Sequence, residues 1–549
     1  MRRKHIKITA FLLVVVLGLT AYKPAEKYFE ISKNLDIFAT LYREVNKYYV
    51  DDVSPSELMK TGIDAMLNTL DPYTNYIPED RIEDYRTITT GEYGGIGAVI
   101  GRRNDKVMVL MPNKGYPADR AGLEIGDEII AIDGIQITER HIDDISKLLK
   151  GQAGTNLSLK IKRYGKNAPF DVTLKRERIK LNNVPYHGMV SEDIGMIQLT
   201  DFTRNASKEV KSALVSLKDK GAKKIILDLR GNPGGLLSEA INISNVFLPK
   251  GHEIVSTKGK IKDWNRMHKA LNPAVDTDIP IAVLINGSSA SASEIVSGVI
   301  QDYDRGVLVG SRSFGKGLVQ ATRSLTYNSK LKVTVAKYYI PSGRCIQEID
   351  YSKRDDEGAA EKIPDSLRVA FKTKNGRVVY DGGGVMPDVE VKLDNFAPIT
   401  VSLISKGLIF DYATKYKHDH AEIDPALSFS LSDEEYKEFM AWLGDKDYDY
   451  QTKVENSLKK LISSAKDDKY YEDIKTQIYA LKTKISHNKE SDLIKFKDQI
   501  REELEKEIVS RYYFQVGQIE ASFDDNKEIK TAIELLNDTE KYNEILKGE

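Results

Sequence analysis

Gly287-Ser288-Ser289-Ala290-Ser291-Ala292-Ser293-Glu294-Ile295 follows the apolar run Ile281-Ala282-Val283-Leu284-Ile285 and precedes Ser313-Phe314-Gly315-Lys316-Gly317-Leu318-Val319-Gln320. A short β-branched run, a turn at Asn286-Gly287 and an apolar periodic stretch predict strand, tight turn and helix, with hydroxyl residues at the turn. A serine at a helix N-terminus lies beside unpaired backbone N–H groups and the positive end of the helix dipole, where an oxyanion is stabilised. Such a serine needs a base. None of the eight histidines falls between His268 and His418, and no Gly-x-Ser-x-Gly elbow is present. Lys316, flanked by glycines in an apolar segment, is the alternative. An ordinary lysine, with a pKa of about 10.4, is protonated at neutral pH. Burial disfavours the charged form and turns the amine into a usable base. Gln320, four residues on, is spaced to hydrogen-bond that amine. The competing reading is a small-residue helix start followed by a surface turn, since short motifs recur by chance. On chemistry alone Ser289 and Ser293 rival Ser291.

Taken together, Gly-Ser-x-Ala-Ser-Ala-Ser-Glu-Ile and the later Phe-Gly-Lys-Gly-x-Val-Gln resemble the C-terminal processing (tail-specific) proteases, which use a Ser/Lys dyad. The resemblance implies Ser291 as nucleophile, Lys316 as general base and Gln320 as its orienting partner. It extends to the strand Lys224–Arg230 and the turn Arg230-Gly231-Asn232-Pro233-Gly234-Gly235, and to Gly384-Val385-Met386-Pro387-Asp388. Glycines after a strand commonly make only a tight turn. In the resembling family this turn faces the nucleophile, which implies an oxyanion hole from Gly234 or Gly235 together with the Ala292 N–H. The resemblance covers about Tyr48 to Val391. The implied fold is a multidomain α/β protein whose catalytic core, residues 181–394, is of the Clp-protease/crotonase type. The order strand, helix, strand, helix after Leu181 argues independently for an α/β core.

Residues 91–180 resemble an inserted PDZ domain. Gly94-Gly95-Ile96-Gly97 is a glycine loop running into a strand, followed by Pro117-Ala118-Asp119-Arg120-Ala121-Gly122-Leu123 and Gly126-Asp127-Glu128-Ile129-Ile130. Gly94, Gly95, Ile96 and Gly97 are the candidate cradle for a peptide's terminal carboxylate, with an extended tail pairing along the next strand. A small β-domain without a ligand is the alternative. His141 starts the helix that flanks the groove and reads as a solvated side chain. Arg163 resembles an arginine that bridges this domain to the catalytic site.

The 549 residues suit several domains, and 30% charged with 41% hydrophobic residues suits a globular body. A net charge of −1 with no long basic run beyond the N-terminus argues against nucleic-acid binding. The single cysteine, Cys345, excludes an intrachain disulfide, and no Cys/His cluster has metal-ligand spacing, so no cofactor or metal is expected. Residues 1–23 carry Arg2, Arg3, Lys4 and Lys7 ahead of an apolar run at 8–21, the pattern of a signal peptide or signal anchor. Export to a bacterial periplasm, with or without an inner-membrane tether at 8–21, is the expectation. Residues 24–90 read as a helical region with a helix end and turn at Leu70–Tyr76. Tyr351–Lys362 reads as a solvated loop. Residues 395–549 read as a helical extension, with Ile474, Ile478, Leu481 and Ile485 on one face and Phe496, Ile500, Leu504 and Ile508 on another. Packing on the core is the default for it, and a homo-oligomer interface or a substrate lid the alternatives.

The sequence therefore predicts an exported serine endopeptidase that holds protein C-terminal tails in its PDZ domain and cleaves through an acyl-enzyme. An inactive PDZ scaffold on the same fold is the rival from another class. A thioester-processing crotonase relative is disfavoured by the PDZ domain and by the lack of an adenine-nucleotide motif.

Overall fold

The run Ile281–Ile285 becomes an inner strand of a six-stranded sheet in the computed structural model, which describes residues 27–355, 358–444, 446–485 and 489–548. The order across this sheet is Tyr186–Met189, Ile194–Gln198, Lys224–Asp228, Ile281–Ile285, Val307–Gly310 and Val389–Glu390. The first pair is antiparallel and the rest are parallel. Near-continuous apolar strands are what a sheet covered on both faces requires. Side chains alternate accordingly. Ile197, Ile225, Leu227, Val283 and Leu308 pack against the helices Ala206–Asp219, Leu237–Phe247 and Ala292–Asp302. Met196, Ile226, Ala282, Leu284, Val307 and Val309 point the other way.

That second face is covered by the end of the chain. Phe523, Ile529, Ala532, Leu535, Leu536 and Tyr542 join its core, most of them on the helices Lys527–Asn537 and Thr539–Lys547. The Tyr542 hydroxyl accepts from Ile281 N at 3.1 Å and donates to Ile281 O at 3.0 Å, closing the start of a central strand. The default expectation for the C-terminal region, packing on the core, is thus what this part does. Its earlier helices build their own centre. Ile399, Leu403, Ile409, Tyr412, Phe439, Ile500, Leu504 and Ile508 form one buried cluster. The segment Lys497–Glu520 turns sharply at Phe514, where φ is 56° and ψ −151°, and so serves both cores. Of the two predicted apolar stripes, Ile500, Leu504 and Ile508 of one are buried, whereas in the other Ile478 is buried and Leu481 is 44% exposed.

A second, antiparallel sheet pairs Leu318–Ser324 with Lys330–Tyr339, and the latter with Glu253–Gly259, which also pairs with Arg266–Lys269. The stretch expected as a solvated loop is instead a hairpin, with Ile349–Arg354 antiparallel to Ala360–Lys362. Its outward side chains are polar, which the composition registered as loop while the alternating Ile349 and Tyr351 favour a strand.

The insert at 91–180, expected to be a PDZ domain, has its own core of Ile96, Val107, Val109, Ile129, Ile132, Ile145, Leu157, Leu159 and Ile161. Its helix Ile142–Leu149 begins at the exposed His141. The insert enters and leaves through a two-stranded ribbon, Glu92–Gly95 antiparallel to Glu177–Lys180. It also rests on the helix Leu408–Asp419. The Phe410 ring lies between the guanidinium groups of Arg103, at 4.5 Å, and Arg511, at 4.3 Å. Asn104 Nδ2 donates to Lys406 O at 3.1 Å.

Residues 27–76 belong to a separate unit. It holds helices at 27–48 and Pro55–Asn68, the latter capped by Ser54 and followed by a turn in which Asp71 Oδ1 accepts from Tyr73 N and Thr74 N, both at 2.8 Å. The segment read as an export signal lies outside the described residues. Among those described, no helix is long and apolar enough to cross a membrane.

Truncating Ile529, which is 1% exposed under the sheet, to alanine is expected to cost about 2–5 kcal/mol. Calorimetry should show a clear drop in melting temperature. Leu461→Ala, at a position 46% exposed, should shift stability by less than about 0.5 kcal/mol.

Candidate active site

The turn between the strand Ile281–Ile285 and the helix Ala292–Asp302 puts Ser291 immediately before the helix, with φ 56° and ψ −109°. A non-glycine residue at such angles is strained by about 1–3 kcal/mol and persists only where its surroundings hold it. Here they do. Ser291 N donates to Glu294 Oε2 at 2.8 Å, and Ser291 O accepts from Ile295 N at 3.0 Å, with the Tyr338 hydroxyl 3.1 Å away. The neighbouring hydroxyls are engaged elsewhere. Ser289 Oγ donates to Leu229 O at 2.8 Å and accepts from Asn286 N, while Ser293 Oγ donates to Asn232 O at 2.9 Å. Both side chains are fully buried, whereas Ser291 is half-buried. The two rivals are staples between the serine loop and the glycine turn.

Glu294 ties this loop to the lysine loop. Its carboxylate, wholly buried, also accepts from Lys316 N at 2.9 Å, Gly315 N at 2.7 Å and the Ser313 hydroxyl at 2.6 Å. Burial pushes its carboxyl above the ordinary glutamate range, against the pull of those donors. Tyr338 makes a second tie, since its buried hydroxyl lies 2.8 Å from Lys316 O as well as facing Ser291 O. Burial first, and the Glu294 charge second, hold that phenol well above its usual range and therefore neutral. Lys316 is half-buried between two buried glycines, which excludes the reading of Gly-Lys-Gly as an open surface turn. Gly317 N donates to Gln347 Oε1 at 2.8 Å, and Glu348 N to Gly315 O at 2.9 Å. Gln320 sits on the strand that follows, its Nε2 donating to Thr334 Oγ1 at 3.3 Å.

The turn after Lys224–Asp228 lies against the serine. A Cβ on Gly234, whose φ is +97°, would stand 2.6 Å from Ala290 O, 2.8 Å from Ala292 N and 2.9 Å from Ser291 Cβ, so only glycine fits. Ala290 N donates to Asn232 O at 3.0 Å, locking turn to loop. Gly234 N donates to Asn232 Oδ1 at 2.8 Å and is therefore occupied. Gly235 pairs with Phe202 in an isolated bridge through its neighbours' bonds, Phe202 N to Gly234 O and Leu236 N to Phe202 O. Ala292 is the first helical residue, where an N–H has no partner within the helix.

In the PDZ domain, Gly94 and Gly95 belong to the ribbon, opposite Arg178 and Glu177, rather than to an open loop. Ile96 is buried and Gly97, at φ +71°, turns the chain into the strand Ala98–Arg103. Arg163 stays within its own domain. It donates to Asp127 from Nε and Nη2, both at 2.7 Å, to Glu124 at 2.6 Å and to Gly122 O at 2.6 Å. The expected bridge to the catalytic core is not made, because the fully buried Asp127 carboxylate claims the guanidinium.

The sequence reading passed over Glu294 and Tyr338. The first left a signal, since Ser-x-x-Glu at a helix start is a capping box. The second left none, being one tyrosine on a strand.

Residues 193–353 match the family described as Peptidase family S41. Residues 108–163 match the PDZ domain, and 399–536 the family described as probable PDZ-protease, C-terminal helical domain. A carboxy-terminal-processing protease of Bartonella bacilliformis is 39% identical over 347 residues, 62% of this chain and 78% of that one. A probable CtpA-like serine protease of Staphylococcus aureus (strain COL) is 36% identical over 362 residues, 63% and 72% of the two chains. Among solved structures, the photosystem II D1 C-terminal processing protease is 26% identical, covering 65% of this chain and 92% of that one at a TM-score of 0.35.

Replacing Glu294 by glutamine turns an amide NH2 toward N–H donors that now meet an acceptor. The expected cost is about 3 kcal/mol, read as a lowered melting temperature. An unchanged melting temperature would refute the bridging role.

Proposed function

We propose, from the premise that this chain belongs to peptidase family S41 and is a serine protease of the carboxy-terminal-processing kind with a PDZ domain, that it cleaves by a Ser291/Lys316 dyad through an acyl-enzyme. The observation that carries this reading is the Glu294 carboxylate, which accepts from the backbone N–H of both residues. In the proposal the neutral Lys316 amine takes the Ser291 hydroxyl proton as Oγ attacks the peptide carbonyl. The carbonyl oxygen becomes an oxyanion, the C–N bond then breaks, and Lys316 returns the proton to the leaving amine. Water, deprotonated by the same amine, attacks the ester; the C–Oγ bond breaks and Lys316 returns the proton to Ser291 Oγ.

The oxyanion is assigned to the N–H groups of Ala292 and Gly235. The open choice between the two glycines goes to Gly235 because Gly234 N is already bonded to Asn232. Gln320 is assigned to orient the amine through its carbonyl oxygen, the end left over when its Nε2 faces Thr334. The PDZ domain is assigned the capture of protein C-terminal tails, with Ile96 and Gly97 at the mouth of the strand Ala98–Arg103 as the carboxylate cradle. Gly94 and Gly95 shape its entrance from the ribbon. Export to a bacterial periplasm is part of the same reading, motivated by the basic residues before the apolar run at 8–21.

Wild type, Ser291→Ala and Lys316→Ala should be incubated with one tailed protein and with the same protein carrying a C-terminal amide. Each substitution is expected to lower kcat by about 10³-fold or more. The amide should be cut more slowly than the free tail. Cleavage by all three proteins would reject the dyad, and equal cleavage of both substrates would reject tail capture.

A further inference from the structure

Arg230 sits between the strand Lys224–Asp228 and the glycine turn, and each of its three guanidinium nitrogens has a partner. Nε donates to Asp228 Oδ1 at 2.9 Å and Nη2 to Asp228 Oδ2 at 2.7 Å. Nη1 reaches out of the catalytic core to the C-terminal helical region, where it meets Asn526 Oδ1 at 3.0 Å and Glu528 Oε2. Asn526 caps the helix Lys527–Asn537, accepting from Ile529 N at 3.0 Å, so the contact is fixed to a helix end.

Charge balance does not demand the second carboxylate. Asp228 alone neutralises Arg230, in the two-pronged geometry that suits a guanidinium best. Glu528 is buried with a side chain 4% exposed, and its Oε1 has no hydrogen-bond partner among the described residues. A carboxylate in that position is costly unless its one good contact does something specific. What it contacts is the residue at which the oxyanion turn begins. Gly231 N donates to Asn286 Oδ1 at 3.0 Å, Asn232 Nδ2 to Leu199 O at 2.6 Å, and Asn232 O holds Ala290 N and Ser293 Oγ. The turn that begins at Arg230 and ends at Gly235 is thus hydrogen-bonded to the serine loop through Gly231 and Asn232.

We propose that Glu528 and Asn526 are positioning residues for catalysis, acting through Arg230 to hold the oxyanion turn, so that the C-terminal helical region completes the active site. The proposal rests on the reading of Ser291 as nucleophile and Gly235 as oxyanion donor. Transition-state geometry is sensitive to small displacements, so losing this tie should slow chemistry without weakening substrate binding.

The test uses the full-length chain with Glu528→Gln, Asn526→Ser and, as a control, Lys527→Ala, whose exposed partner is Asp394. Asn526→Ser keeps a capping hydroxyl but cannot reach Arg230, so it serves where Glu528→Gln fails to fold. For the first two, kcat on a tailed peptide is expected to fall about tenfold with KM unchanged, while the control matches wild type. A peptide boronic acid, which mimics the tetrahedral oxyanion, should lose affinity by a similar factor. Amide exchange should quicken in the segment 229–236 and not across the whole chain. Unchanged kcat, or a loss that tracks global unfolding, overturns the proposal. If wild type and Ser291→Ala prove equally inactive, the functional reading has failed; the exchange measurement still decides, and unaltered exchange at 229–236 overturns the positioning role.

Discussion

A carboxylate cut off from water must be matched by donors, and Glu294 is matched by four that come from two separate loops. That requirement fixes how far the serine loop can lie from the lysine loop. It also explains how Ser291 keeps a backbone conformation that an isolated residue would leave, since its N–H has a strong acceptor in Glu294 and its carbonyl a donor in Ile295 N. The Tyr338 hydroxyl lies within reach of both Lys316 O, at 2.8 Å, and Ser291 O, at 3.1 Å, and its single proton serves one of them at a time. Two loops tied through one buried carboxylate are held in register with each other.

Much of this was legible in the chain itself. The strand, the small-residue turn and the helix announced the serine loop, and glycine turns announced the PDZ insert. Choosing among Ser289, Ser291 and Ser293 was not legible from composition, because all three are serines in an alternating run; the resemblance points to Ser291, and buried hydrogen bonds engage the hydroxyls of the other two. The same holds for Gly234 and Gly235, which differ in whether an asparagine two residues earlier occupies the N–H. The stripe at Ile500, Leu504 and Ile508 foretold a buried face but not its neighbour, and Ile529 to Tyr542 gave no sign that they would roof the central sheet. Amphipathic periodicity says that a face is buried and is silent about what covers it.

Three arginines recur at the joints of the catalytic core. Arg344 meets Asp302, Arg377 meets Asp304 and Asp388, and Arg230 meets Asp228 and Glu528. For Arg230, burial works against the charge, but the two carboxylates outweigh it and hold the guanidinium above its ordinary range. Buried ion pairs of this kind add little net stability compared with apolar packing. What they supply is direction, because a planar fork accepts carboxylates only along set lines. Each of these arginines joins segments far apart in sequence, at places where an apolar contact would allow sliding.

The ribbon of Glu92–Gly95 and Glu177–Lys180 has a mechanical consequence. Because both ends of the PDZ insert pass through it side by side, the domain is attached at one paired ribbon rather than at two separate points, and the stacked Arg103, Phe410 and Arg511 give it a second support.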